Sequence, residues 1–164
     1  MAGHVTVAKN AGFCFGVARA TRAVEQEMAS GAQGRRIYTL GRLIHNEIYN
    51  QRLRDGGVEV TSVEAISALA TSATEDSPVR VFVRAHGMTA ETEKVLADAA
   101  EANPYFSFVD CTCSFVKKIH RIAAEQSALN LAARASSGQD DRLLLVLGSD
   151  VHPEVIGFLS RFEG

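Results

Sequence analysis

At 164 residues, with 46% hydrophobic and 22% charged residues, the chain has the composition of a soluble globular protein and room for one domain or two small ones. A formal net charge of −2 gives no general pull on phosphate backbones, so nucleic-acid binding is not expected. No apolar run approaches the roughly 18 residues of a membrane helix, the start MAGHVTVAKN is no signal peptide, and three cysteines form no secreted disulfide framework; a cytoplasmic location with thiols kept for chemistry or metal is expected.

In chain order, HVTVA at 4–8 reads as a buried strand, and KNAGF turns the chain. A helix is expected from Phe15 to about Ala29, with Val17, Thr21, Val24 and Met28 on one face. A strand near 36–40 leads through Gly41 to a helix near 46–55, stopped by Gly56 and Gly57. VEV at 58–60 is a short strand, and Ser62 is placed to cap a brief helix reaching Leu69. The polar stretch 71–78 is a surface loop, and 79–84 is the clearest strand. Thr89 caps a helix striped by Val95, Leu96 and Ala99, which Asn103-Pro104 ends. A strand at 106–109 enters a cysteine segment, followed by the longest helix, from about Ser114 to Ala135. SSGQDD is a flexible loop and RLLLVL the last strand. The alternation argues for a parallel α/β architecture, with a domain junction near 104–112.

Five apolar runs are each followed within a few positions by a reactive residue: Cys14, His45, His86, Cys113, and His152 with Glu154. Loops after the strands of an open parallel sheet gather along one edge, where ligands bind. Cys14, flanked by Gly12 and Gly16 at a helix start, sits where the helix dipole favours a thiolate; a buried apolar cysteine is the equal alternative. Cys111 and Cys113 form a C-x-C pair, a weak metal motif beside two C-x-x-C knuckles, and one of the two is expected to act. Any single one of His45, His86 and His152 reads as a cap or core histidine, but three in equivalent loops suit a polyanion such as a diphosphate. Glu154 is placed either to deliver protons there or to serve as a first-turn helix acid. Pro153 stiffens the loop between His152 and Glu154. His120, beside Lys117, Lys118 and Arg121, reads as part of a solvated basic face, and His4 has no evident partner.

Taken in order, AGFCFGV, GRLIHN, RAHG, DCTCSFVKKIH and HPEV resemble the 4-hydroxy-3-methylbut-2-enyl diphosphate reductase family over essentially the whole chain. The resemblance implies an α/β fold of parallel-sheet βα units: one complete domain (1–110) and the start of a second (111–164) of a three-domain iron–sulfur reductase, the third domain absent. It implies a 4Fe–4S cluster with Cys14 and Cys113 as two of three cysteine ligands, Cys111 standing where the family has alanine and Ser114 where it has proline. It places His45, His86 and His152 on the diphosphate of an allylic substrate. Glu154 becomes the acid that protonates the departing hydroxyl in a reductive dehydroxylation yielding isopentenyl and dimethylallyl diphosphates. A ferredoxin- or flavodoxin-type electron donor is implied, with no membrane partner. Because only Cys111 remains as a further cysteine, the expectation is a fragmentary member, inactive or weakly active alone. The competing expectations are a non-catalytic diphosphate-binding remnant without a cluster and, more distantly, a zinc hydrolase using histidine and cysteine ligands.

Overall fold

The computed structural model of the chain describes residues 3–9, 11–31, 34–138 and 143–163. Helix α1 (Phe15–Ala29) precedes strand β1 (Arg36–Leu40), helix α2 (Glu47–Asp55) and strand β2 (Val58–Thr61). A 3-10 turn at Val63–Ala65 runs into helix α3 (Ile66–Thr71), followed by strand β3 (Val79–Val83), helix α4 (Ala90–Ala102), strand β4 (Phe106–Asp110), helix α5 (Ser114–Ser137) and helix α6 (Pro153–Leu159). The four strands form one parallel sheet in the order β2-β1-β3-β4.

That order dictates where the helices lie. The connection from β1 to β2 steps toward one edge, and the next two step toward the other, so right-handed crossovers put α2 on one face and α3 and α4 on the opposite one. The apolar clusters follow suit. Ala20 and Val24 of α1, Leu53 of α2, Val58 and Phe82 share one core. Ile66 and Ala70 of α3, Leu96 of α4 and Phe106 share the other with Val79, Val81 and Val83.

Strand β3 feeds both cores because successive side chains alternate faces. Val79, Val81, Phe82 and Val83 are each no more than 1% exposed, which contributes about 1.5–3 kcal/mol per side chain. Arg80, on the Phe82 face, reaches Glu27 of α1 at 2.9 Å, and the same carboxylate takes Arg35. Burial alone would raise the Glu27 pKa, yet hydrogen bonds from Arg35 and Arg80 outweigh it and hold the carboxyl below its usual 4.5.

Helix starts follow the expected chemistry. Asn46 Oδ1 accepts from Tyr49 N at 2.9 Å and Thr89 Oγ1 from Thr92 N at 3.1 Å. Gly56 stands at the end of α2, and Asn103 ends α4.

Several expectations fail, each for a physical reason. Residues 4–8 form no strand, and Val5 and Val7 are 86% and 76% exposed, because no neighbouring strand pairs with them. Residues 143–147 likewise form no strand; Leu143, Leu145 and Leu147 are 77–92% exposed. Val95 is 37% exposed while Leu96 is fully buried, so the inner stripe of α4 is set one residue over. Ser62 makes no side-chain cap, and the helix it precedes reaches Thr71. Pro153 opens α6 at its first turn, where a missing N–H costs nothing, instead of stiffening a loop. Helix α5 extends to Ser137, into the expected SSGQDD loop; Gly138 ends it in a left-handed conformation (φ 71°), and Gln139 to Asp141 lie outside the described residues. Among the described residues no helix is long and apolar enough to cross a membrane.

Candidate functional site

The carboxyl ends of β1, β3 and β4 carry three loops, and α6 supplies a fourth arm. After β1, Leu43 and Ile44 are 1% and 5% exposed and plug the loop into the core, leaving the next residue, His45, outside. Buried Asn50 donates to Ile44 O at 2.8 Å and fixes that loop from within α2. After β3, Gly87 N donates to Arg84 O at 3.1 Å, closing a turn that presents His86. Gly87 takes φ 87°, and a Cβ there would meet His120 Cε1 at 2.9 Å and Thr112 Cγ2 at 3.1 Å. Both backbone angle and space therefore require glycine beside this histidine. His152 is the N-cap of α6, its Nδ1 accepting from Glu154 N at 3.3 Å. A neutral ring in that role carries its proton on Nε2.

Three imidazoles from three separate loops converge here. The His45 and His86 ring centroids lie 5.5 Å apart, and His86 and His152 lie 6.3 Å apart. His86 is central. Burial pushes its pKa below the usual 6.5; the Arg84 guanidinium pushes the same way, His45 and His152 add to it, and Glu154 alone opposes. Its buried Nδ1 has no hydrogen-bond partner among the described residues. A desolvated, neutral imidazole with an unmet polar atom is suited to accept a proton when an anion arrives. Glu154 sits in the first turn of α6. It is both a helix first-turn acid and a carboxylate close enough to act on His86.

The thiols meet on the same side. Hydrogen bonds from Cys111 N to Val83 O (3.2 Å) and from Cys113 N to Ala85 O (3.0 Å) run the cysteine segment alongside the His86 loop. Residues two apart on an extended segment share a face, and both side chains lie on the α1 side: Cys111 is 3% exposed in the core shared with α1 and α2, where burial raises its thiol pKa. Cys113 turns toward α1, where a Cβ on Gly16 would lie 2.8 Å from its Sγ. Cys14, the residue before α1, is two positions from Gly16, an extended reach of at most about 7 Å. Cys14 and Cys113 thus share one neighbourhood. Arg19 of α1 donates to Thr112 O and ties the two segments together.

Soft thiolates suit an iron–sulfur centre, and the side-chain-free space over Gly16 leaves Cys113 room. Cys14 and Cys113 are the residues that could hold such a centre. Among the described residues no group of three or more His, Cys, Asp and Glu is spaced to hold a metal ion, so a third ligand is not found with them.

Sequence reasoning missed several residues that build this edge. His120 is 7% exposed rather than part of a solvated basic face, because α5 packs that side against Gly87 and Gly157. Lys117 instead pairs with Asp110 at 2.6 Å, and the Asp110 carboxylate also accepts Thr112 N at 2.8 Å. Arg19, Arg84 and Arg161 carried no spacing signal. Only the glycines at 16 and 87 hinted, through their position beside Cys14 and His86, that another segment comes close.

A parallel sheet whose strand-exit edge collects three imidazoles, two thiols and a carboxylate defines a ligand-binding α/β protein with the donor set for acid–base and metal chemistry. The particular family is clear from comparison: a model of the LytB protein family matches residues 5–164. The chain belongs to the LytB family. It is 38% identical over 161 residues to the 4-hydroxy-3-methylbut-2-enyl diphosphate reductase of Geobacter sp. (strain M21), covering 98% of this chain and 47% of that protein. Against the protein of the same name from Thermoanaerobacter sp. (strain X514) it is 33% identical over 153 residues, covering 93% and 45%. The solved structure of an (E)-4-hydroxy-3-methyl-but-2-enyl diphosphate reductase superposes with a TM-score of 0.66 at 28% identity, covering 96% of this chain and 46% of that one. The E-1-hydroxy-2-methyl-but-2-enyl-4-diphosphate reductase of Plasmodium falciparum shares the fold, with a TM-score of 0.69 at 21% identity over 93% of this chain and 40% of that one. The chain spans about half the length of the curated relatives it matches.

Proposed function

We propose that this chain is the substrate-binding and proton-delivering part of a 4-hydroxy-3-methylbut-2-enyl diphosphate reductase of isoprenoid biosynthesis. The observation that carries the reading is the meeting of His45, His86 and His152, at 5.5 and 6.3 Å between rings, beside Glu154. Three imidazoles offer N–H donors to a diphosphate from three directions, and each gains a favourable charge when protonated beside it. His152, with Nδ1 occupied by the Glu154 amide, donates through Nε2. His86, whose pKa burial holds low, takes up a proton as the anion arrives. Glu154, on the first turn of a helix aimed at the same space, is placed to pass a proton to an allylic hydroxyl leaving as water.

Cys14 and Cys113 supply two of three thiolates for a 4Fe–4S cluster, the third coming from outside the residues described. Such a cluster, when bound, supplies single electrons and an iron acting as a Lewis acid. In this reading residues 1–110 form the first α/β unit and 111–164 begin a second, the electron donor is a ferredoxin- or flavodoxin-type protein, and the setting is cytoplasmic.

Calorimetric titration with inorganic pyrophosphate tests the binding role. The chain should bind it, and His86→Ala should weaken binding by roughly tenfold or more, the loss of a charge-assisted hydrogen bond. Absence of binding at millimolar pyrophosphate would overturn the reading. Anaerobic reconstitution with iron and sulfide tests the rest: little or no turnover is expected, and steady reductase turnover by the isolated chain would sink the two-ligand account.

A further inference from the structure

Helix α6 has only seven residues, too few to be stable without packing. Among the described residues the 143–147 segment ahead of it is exposed and joins no strand. The placement of α6 therefore rests on packing against α5, with Val155 buried, and on bonds at its far end. Arg161, with a side chain 13% exposed, donates from Nη1 to Met88 O at 2.9 Å and from Nη2 to Glu93 Oε2 at 2.6 Å. The same Nη1 returns to Gly157 O at 2.5 Å. Ser160 Oγ accepts from Ala90 N at 2.9 Å. These bonds pin α6 to the stretch of chain just after His86.

A third element gauges the fit. His120 of α5 fills the gap between two glycines: a Cβ on Gly87 would lie 2.9 Å from its Cε1, and a Cβ on Gly157 would lie 3.0 Å from its Nε2. Gly87 adjoins His86 and Gly157 lies one helical turn past Glu154. The His120 Nε2 is buried without a partner among the described residues. Packing keeps the ring there although its hydrogen bonding does not.

We propose that Arg161 is a positioning residue: clamped against Met88 and Glu93, and spaced by His120 against Gly157, it sets α6 so that His152 and Glu154 face His86. The inference rests on the diphosphate reading above. It assigns α6 its alignment through a contact on the opposite end of the helix from the ligand, so the two ends move together.

The test uses the full chain with Arg161→Met, Arg161→Lys, Gly157→Ala and the Gly157→Ala/His120→Ala pair. Three readouts apply: amide exchange of Ile156 and Ser160, the pH midpoint of the His86 ring by NMR, and pyrophosphate affinity. Arg161→Met should speed α6 exchange while β1 and β3 stay protected, and should weaken pyrophosphate by roughly tenfold, as loss of alignment does. The His86 midpoint should rise toward the ordinary histidine value. The groups facing that ring are Arg84 on its own loop, His45 after β1, and His152 and Glu154 on α6; undocking α6 removes cover and both of the last two. Arg161→Lys should restore part of each effect. Gly157→Ala should reproduce the defects without touching a charge, since alanine favours helix, and His120→Ala should relieve it by emptying the clash. Unchanged α6 exchange in Arg161→Met would overturn the clamp. Faster exchange with an unmoved His86 midpoint and unchanged affinity would overturn the positioning role. If wild type fails to bind pyrophosphate, the diphosphate reading falls alone, because exchange and the His86 midpoint still decide the clamp.

Discussion

VRVFVR at 79–84 and LLLVL at 143–147 are near equals as apolar runs, yet the fold treats them oppositely. The first lies between β1 and β4, with Val81 and Val83 fully buried. The second joins no strand among the described residues, and Leu147 is 92% exposed. Strand propensity describes how a segment fits a pleated surface; it does not create the neighbour that the segment must fit. The same contrast separates the two ends of the site: His45 and His86 stand on loops rooted in the sheet, whereas His152 stands on a helix reached through the exposed segment.

The largest effect expected of a single change sharpens this contrast. Phe82→Ala should cost about 3–5 kcal/mol in urea unfolding, by transfer and cavity terms together. Comparable loss in Leu145→Ala would show that 143–147 is packed after all. Glu27→Gln comes next, at about 1–3 kcal/mol, because it leaves the Arg35 and Arg80 donors facing a neutral amide. The sign with pH follows from a folded pKa below 4.5: the contribution is full above that value and is lost as pH falls through the folded one. Stability curves of wild type and Glu27→Gln should therefore converge in acid, and parallel curves would refute the ion-pair account. Thr89→Ala should cost about 1 kcal/mol by removing the α4 cap, measured as a shift in urea midpoint.

A gentler trend separates the histidines inside the edge from ordinary ones. His86 and His120 both have folded pKa values pushed below 6.5, chiefly by burial. The unfolded chain then binds protons first as pH drops below 6.5, so stability should decline from there down through the folded values. His120→Gln should flatten part of that slope in urea titrations at several pH values; an unaltered slope would mean the ring is not desolvated. Smallest of all, Leu145→Ala should lie within about 0.5 kcal/mol of wild type.

Much of the sheet was legible because local signals and tertiary neighbours agreed. Thr89 caps the helix that its position predicted, and the α1 stripe of Val17, Thr21, Val24 and Met28 faces the core. HVTVA and RLLLVL failed because an apolar run states what it would bury and not against what. His120 failed differently: lysines and an arginine around it suggested water, but the helix turns that one position onto two glycines whose missing side chains leave a recess. Cys111 and Cys113 were not separable by direction, since residues two apart on an extended backbone share a face; their difference in burial is a tertiary outcome.

The placement of His45, His86 and Cys113 after strands was written in the sequence, because parallel βα units put such loops at one edge whatever they contain, whereas the segments before Cys14 and His152 form no strand. Whether three rings would come within about 6 Å, which cysteine would turn inward, and what would hold α6 in place were decided only in three dimensions. Those outcomes depend on residues distant along the chain, Gly16 against Cys113 and Arg161 against Met88, and contacts of that kind leave no periodic trace for a sequence reading to find.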